Sequence, residues 1–117
     1  MRRGEIWTVA GGNDYMGKPR PAVIIQDDSF DSTSSITICL LTTDPLEAPL
    51  FRVPVQPSEQ NGLRQPCRLM VDKIGTVPKT KIGEQVGWLD DEDMVRLNRV
   101  VLVFLGLAGP GRSDRTP

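Results

Sequence analysis

The hydrophobic positions in the first three quarters of the chain form short runs separated by turn-forming residues, a pattern typical of β-strands. Because Pro54 cannot donate a ladder hydrogen bond, the strand that contains it is expected at an edge or a bulge. Asn61-Gly62 marks a turn between later strands. The pattern predicts strands over Glu5–Val9, Ala22–Gln26, Ile36–Thr42, Leu50–Val55, Arg68–Lys73 and Gln85–Leu89.

The pattern changes near residue 90, where apolar residues begin to recur with the 3.6-residue period of a helix. Asp90 is well placed as N-cap, and the acids that follow it complement the helix dipole. Leu89 and Met94 stand at the two positions of a hydrophobic staple. The predicted apolar face consists of Met94, Val95, Leu97, Val100, Val101, Phe104 and Leu105.

Five or six short strands followed by one C-terminal helix predict a mainly β, α+β fold. The expected architecture is a small SH3-like barrel or a strongly bent antiparallel sheet. The chain has 117 residues, which is enough for one domain. We assign residues 1–108 to this domain and residues 109–117 to a disordered tail. Trp7 and Trp88 lie inside predicted strands and are expected in the core.

The composition excludes several classes of function. The net charge of −1 argues against a globally basic nucleic-acid binder, although six cations lie between Arg52 and Lys81. The chain has no histidine, which excludes histidine-based catalytic triads, general bases and zinc sites. Cys39 and Cys67 show no pairing or metal-ligand spacing and are expected as buried thiols. With no apolar signal segment and no stretch long enough to span a bilayer, the chain is expected in the cytoplasm, without a membrane partner.

The segment Lys18-Pro19-Arg20-Pro21 opens the second strand with an arginine between two prolines. Proline fixes its own φ and biases the preceding residue toward extended backbone. Arg20 is therefore expected at the stiff beginning of a strand, where a guanidinium suits phosphate or carboxylate recognition. By itself, the segment equally describes an ordinary strand entry with a solvated arginine.

Several segments, taken together and in order, resemble the MazF/PemK family of toxin endoribonucleases. The resemblance covers residues 2–107, nearly the whole chain. The segments are Arg3-Gly4-Glu5-Ile6-Trp7, Arg20-Pro21-Ala22-Val23-Ile24-Ile25-Gln26, Leu41-Thr42-Thr43, Asn61-Gly62-Leu63, Met70-Val71-Asp72-Lys73-Ile74, Gly87-Trp88-Leu89 and Leu105-Gly106-Leu107.

The resemblance implies the toxin of a type II toxin–antitoxin system with the MazF and CcdB type of fold. Such a toxin is an mRNA interferase that cuts single-stranded RNA at short sequences without a metal or another cofactor. It forms a homodimer and is held inactive by a cognate antitoxin, whose flexible acidic segment lies over the dimer surface.

The same resemblance assigns catalytic roles to Arg20 and to Thr42. Cleavage by a 2′-hydroxyl group builds negative charge on the phosphate, so fixed donors are needed there. A guanidinium offers two parallel N–H groups and a threonine hydroxyl offers a third donor. The products would carry 2′,3′-cyclic phosphate and 5′-hydroxyl ends. Thr42 is preferred to Thr43 on strand register alone.

Further residues are candidates for RNA contact. Some PemK-type members use an aspartate, an arginine two residues before it, and a histidine. Asp72 matches the aspartate, but Met70 stands at the arginine position and histidine is absent, which favours the arginine–threonine mechanism. The RNA-binding candidates are Tyr15, Lys18, Thr43, Arg64, Arg68, Asp72 and Lys73.

Two other functions remain open at this stage. A CcdB-like poison of DNA gyrase would share the fold and cut nothing, although the helix lacks an aromatic residue after Phe104. A non-enzymatic SH3-like module would need a groove of clustered aromatic residues, and the few aromatics here are scattered. A metal-dependent nuclease fits poorly because Asp27, Asp28 and Asp31 share one loop without partner carboxylates.

Overall fold

The computed structural model describes residues 1–11 and 18–108 as a single bent sheet with a C-terminal helix. Short 3-10 helices at Asp28–Phe30 and Lys79–Lys81 interrupt the connections. The elements are β1 (Glu5–Val9), β2 (Arg20–Ile24), β3 (Ser35–Thr42), β4 (Arg52–Val55), β5 (Cys67–Pro78), β6 (Ile82–Trp88) and α1 (Asp91–Phe104).

The six strands form an antiparallel sheet in the order β4-β5-β3-β2-β1-β6. In the described part of the chain β4 and β6 are its two edges, so the sheet is bent and not closed into a barrel. The expected fold class is confirmed, and of the two architectures named above the structure has the strongly bent antiparallel sheet. Pro54 lies exposed on the edge strand β4, as the missing N–H group requires.

The predicted strands are all present, but several of their bounds shift. The sixth strand begins at Ile82 rather than Gln85. The second strand begins at Arg20 rather than Ala22, because Pro21 and Arg20 continue the pairing with β1 opposite Thr8 and Val9. The fifth strand runs on to Pro78 and pairs with β3 from Ser35 to Cys39 and again at Leu41 and Thr42. The prediction ended it too early, at Lys73.

The extension of β5 depends on an irregularity in the middle of the strand. Cys39 on β3 pairs with Ile74, but Leu41 pairs with Leu69, so residues 70–73 bulge opposite Leu40. A bulge bends its strand and increases the local twist. This bend lets the first half of β5 pair with β4 and its second half with the start of β3.

Side chains from the two faces of the sheet enter two apolar clusters. The main core lies between the sheet and α1, and Leu41, Leu69 and Leu97 are fully buried in it. A smaller cluster on the opposite face, which we call the second face, contains Val9, Ala22, Ile24, Ile36 and Ile38.

Helix α1 begins as predicted. The backbone N–H of Asp93 donates to Oδ1 of Asp90 at 2.8 Å, which confirms Asp90 as the N-cap. Leu97 is buried and Met94 packs against the main core, but Val95 and Phe104 are about half exposed. The predicted apolar face is therefore only partly covered within this single chain.

Among the other expectations about burial, those for the two cysteines are confirmed and the one for Trp88 is wrong. Cys39 and Cys67 are free and buried, whereas Trp88 is 52% exposed and the expectation of a core position was wrong. Trp88 follows Gly87, which lies against the backbone of residues 60 and 61, and its own side chain points away from that contact to the surface. In the described residues no helix is long and apolar enough to cross a membrane. The tail predicted for residues 109–117 lies outside the described residues.

Candidate active site

Three adjacent strands bring Arg20, Thr42 and Arg68 to one row across the second face. Thr42 on β3 pairs directly with Arg68 on β5. Ala22 pairs with Leu40 in the antiparallel ladder, so Arg20 comes opposite Thr42 two residues further along. Residues directly opposite each other share a face and lie about 5 Å apart at their Cα atoms. Thr42 is thus flanked by an arginine on either side.

Arg20 is oriented by the backbone of β3. Its Nη2 donates to the carbonyl oxygen of Leu41 at 3.3 Å, which keeps the guanidinium beside the last peptide of that strand. The charge of Arg20 is also felt at Cys67, where burial raises the pKa of the thiol and the nearby guanidinium opposes that rise. The hydrogen bond to Leu41 therefore places Arg20 beside the end of β3.

Thr42 ends β3 and is half-buried, while Thr43 follows it and is exposed. The backbone N–H of Asp44 donates to Oγ1 of Thr42 at 3.1 Å. A hydroxyl oxygen that accepts in this way still carries its own hydrogen for donation. The side-chain alternation of β3 places Thr42 on the same face as Arg20, which favours Thr42 over Thr43.

Arg68 is anchored by the loop that follows β3. Its Nη2 donates to Oε1 of Glu47 at 2.9 Å, and its Nη1 donates to the carbonyl oxygen of Asp44 at 3.3 Å. The arginine side chain is 20% exposed, whereas that of Glu47 is 83% exposed. The guanidinium therefore lies in a partly desolvated position, whereas its carboxylate partner is exposed to solvent.

Asp72 lies in the β5 bulge and is engaged by an arginine that the sequence analysis did not single out. Arg52 is almost fully buried and donates from Nε and Nη2 to the two carboxylate oxygens of Asp72, at 2.8 and 3.1 Å. These hydrogen bonds hold the pKa of the Asp72 carboxyl below its usual range. Arg52 pairs with Met70 across the β4–β5 ladder, so β4 supplies a guanidinium beside the position where β5 has methionine.

The remaining predicted contacts are more dispersed. Lys18 is exposed just before β2, Lys73 is exposed in the β5 bulge, and Arg64 is exposed in the loop before β5. None of them is part of the row of Arg20, Thr42 and Arg68. Tyr15 lies outside the described residues.

The row combines charged and neutral hydrogen-bond donors on neighbouring rigid strands. Guanidinium groups bind phosphate through parallel N–H groups, and a hydroxyl group between them adds a donor at the same place. Within residues 1–11 and 18–108, no three His, Cys, Asp or Glu side chains come together in a group that could hold a metal ion.

Comparison with protein families gives one match that spans most of the molecule. Residues 2–105 match the model of the PemK-like, MazF-like toxins of type II toxin–antitoxin systems. The chain belongs to this family. The segments that carried the resemblance in the sequence therefore reflect true membership of the MazF/PemK toxins.

Individual members of the family agree with this assignment. The chain is 50% identical over 109 residues to a probable endoribonuclease MazF of Mycolicibacterium smegmatis, covering 93% of this chain and all of that protein. It is 27% identical to an endoribonuclease MazF of Staphylococcus saprophyticus, with 92% of each chain covered. The fold matches a mycobacterial endoribonuclease solved in complex with its cognate antitoxin, with a TM-score of 0.78, 23% identity, and 94% and 99% of the two chains covered.

Proposed function

We propose that this protein is the toxin of a type II toxin–antitoxin system and a metal-independent endoribonuclease that cuts single-stranded mRNA. The observation that carries the proposal is the row of Arg20, Thr42 and Arg68 on three adjacent strands. The 50% identity to a probable endoribonuclease MazF supports the same activity. The activity resides in the domain formed by residues 1–108.

In the proposed reaction, the 2′-hydroxyl oxygen of one nucleotide attacks the adjacent phosphorus, and the bond from phosphorus to the 5′-oxygen breaks. The proton of the 2′-hydroxyl passes to solvent water, and solvent water supplies the proton that the leaving 5′-oxygen takes up. Arg20 stabilises the negative charge that develops on the phosphoryl oxygens and orients the leaving oxygen. Thr42 anchors the phosphate through its hydroxyl group. The products are a 2′,3′-cyclic phosphate and a 5′-hydroxyl.

Three features of the biological context belong to the same proposal. The toxin acts in the cytoplasm as a homodimer, with a mass twice the 12.9 kDa of one chain. A cognate antitoxin neutralises it with a flexible acidic segment that lies over the dimer surface. The solved complex of a structurally similar mycobacterial endoribonuclease with its cognate antitoxin supports such a partner. Light scattering of the purified protein, alone and with the candidate antitoxin, measures both assemblies.

The test is cleavage of a long single-stranded RNA by the purified protein in excess EDTA. We expect discrete cuts with cyclic-phosphate and 5′-hydroxyl ends. The Arg20→Ala variant should cut at least about 10³-fold more slowly, since arginines that stabilise charge in phosphoryl transfer have effects of this order. Arg99→Ala serves as the matched control because Arg99 is an exposed residue of α1, which covers the opposite face of the sheet.

Either of two results would contradict the proposal. Arg20→Ala cutting as fast as the wild type would exclude Arg20 from the chemistry. No cutting of several unrelated RNAs, combined with inhibition of gyrase supercoiling, would indicate a CcdB-like gyrase poison instead. The family match does not favour that alternative.

A further inference from the structure

We infer that Arg68 is a second phosphate-binding arginine of the active site, and that Glu47 is the counter-ion that RNA displaces from it. This inference rests on the proposed ribonuclease function. It assigns to Arg68 a contact with the scissile phosphate itself, beyond a general role in attracting the RNA backbone.

The first observation that supports this inference is the position of Arg68 in the sheet. Its Cα partner is Thr42, the residue expected to anchor the phosphate. The β2–β3 register, extended two residues beyond the Ala22–Leu40 pair, brings Arg20 opposite Thr42 from the other side. Strand spacing of about 5 Å places a phosphate bound at Thr42 within reach of both guanidinium groups. The two arginines would then contact different non-bridging oxygens, since they approach from opposite sides.

The second observation is the set of hydrogen-bond partners that Arg68 has in this structure. The guanidinium donates to one carboxylate oxygen and one carbonyl oxygen, both supplied by the loop after β3. Two anionic or polar oxygens on one guanidinium are the arrangement that a phosphate group also offers. The loop therefore occupies the donors that RNA would use.

The exposure of Glu47 shows why this occupation is reversible. An ion pair with one partner 83% exposed contributes little to stability, because water competes for the carboxylate and screens it. A phosphate held at the same time by Thr42 and Arg20 is fixed at several points. The negative charge on the phosphate grows as the transition state forms. Arg68 therefore interacts more strongly with the phosphate than with Glu47.

The experiment compares Arg68→Ala, Arg68→Lys and Glu47→Gln with the wild type on one mapped RNA cleavage site. We expect Arg68→Ala to lower kcat/KM about 100-fold with most of the loss in kcat, as for removal of a preorganised charge-stabilising donor. The kcat/KM of Arg68→Lys should lie between those of Arg68→Ala and the wild type, because lysine keeps the charge but lacks the planar fork of the guanidinium. Glu47→Gln should lower KM about two- to fivefold, the size of an exposed ion pair.

A phosphorothioate at the mapped site gives a direct readout of the contact. Wild type should discriminate between the two sulfur diastereomers, and Arg68→Ala should lose part of that discrimination while Arg99→Ala keeps it. A purely structural role of Arg68 would leave the discrimination unchanged. Thermal unfolding of each variant establishes that it is folded.

Two results would overturn the inference while leaving the proposed function intact. One is wild-type cutting by Arg68→Ala when Arg20→Ala is inactive. Another is an equal loss of activity in Glu47→Gln and Arg68→Ala, which would mean that the pair only holds the loop in place. Failure of the wild type itself to cut RNA would instead refute the proposed function.

Discussion

Arg52 and Asp72 form a two-pronged ion pair that joins the edge strand β4 to the bulge of β5. Nε of Arg52 lies 2.8 Å from Oδ1 of Asp72, and Nη2 lies 3.1 Å from Oδ2. The guanidinium also lies over the ring of Phe51, 5.9 Å from its centroid. Because residues 70–73 are the part of β5 that does not follow the regular ladder with β3, this pair holds the strand at its bend.

Loss of the Asp72 charge should therefore destabilise the fold. We expect Asp72→Asn to lower the free energy of unfolding by about 2 kcal/mol. This is less than the about 3–5 kcal/mol typical of broken fully buried pairs, because the Asp72 side chain is 24% exposed. Urea unfolding at pH 7 measures the change. Glu59→Gln, which removes an exposed carboxylate, is the control and should change stability by less than about 0.5 kcal/mol.

The same pair predicts a dependence of stability on pH. Hydrogen bonds from Arg52 lower the pKa of Asp72 in the folded protein, so the ionised carboxylate stabilises the native state. This stabilisation is fully present above the unfolded pKa of about 4 and is lost as the pH falls through the lower, folded pKa. The difference in unfolding free energy between wild type and Asp72→Asn should be constant from pH 7 to pH 5 and shrink below about pH 4. A difference that grows on acidification would contradict this assignment.

The hydroxyl group is the only part of the Thr42 side chain that fast RNA cleavage should require. Thr42→Val keeps the β-branched shape and should reduce kcat about 100-fold, whereas Thr42→Ser should stay within about threefold of wild type. Steady-state cleavage of a fluorescent RNA measures both. If Thr43→Val loses activity and Thr42→Val does not, the phosphate contact belongs to Thr43.

Asp90 should matter for stability and not for catalysis. Its carboxylate caps α1 on the side of the sheet away from Arg20, so Asp90→Ala should lower the free energy of unfolding by about 1 kcal/mol. The kcat/KM for RNA should not change. Asp90→Ser is the matched control, because serine also caps helices and should retain most of the stability. A loss of activity in folded Asp90→Ala would indicate a role for the helix start in catalysis.

The two cysteines should resist thiol reagents in the native protein. Burial in the main core, with a smaller contribution from the charge of Asp72, raises the pKa of Cys39 to about 12. Burial also raises the pKa of Cys67. Since the thiolate is the reactive form, labelling with a disulfide reagent at pH 8 should be slow until denaturant is added. Cys39→Ala and Cys67→Ala identify each thiol, and rapid labelling of the native protein would contradict the buried positions.

The sequence predicted the elements of this fold well because their signals are local. Asp90 is recognisable as an N-cap from the acids and the apolar period that follow it, and Pro54 indicates an edge by its missing donor. The length of β5 was not predictable in this way. Its second half contains Gly75 and is mostly exposed, so only pairing with β3 identifies it as a strand.

The residues of the candidate site also differ in whether the sequence could indicate them. Arg20 and Thr42 were proposed from the sequence because of a family resemblance carried by short motifs. The role of Arg52 as partner of Asp72 was missed, since the two residues are 20 positions apart and meet only through β4–β5 pairing. A cation two residues before Pro54 on a predicted edge strand was the only available signal.

By itself, the sequence determined the number and approximate positions of the strands and the helix, the N-cap of α1 and membership of the MazF/PemK toxin family. Those features depend on residue type and on spacing along the chain. Only the tertiary structure decided that Arg68 lies directly opposite Thr42 and that Glu47 binds it. Strand register and the β5 bulge set these neighbours, and both arise from long-range backbone pairing that no local pattern encodes.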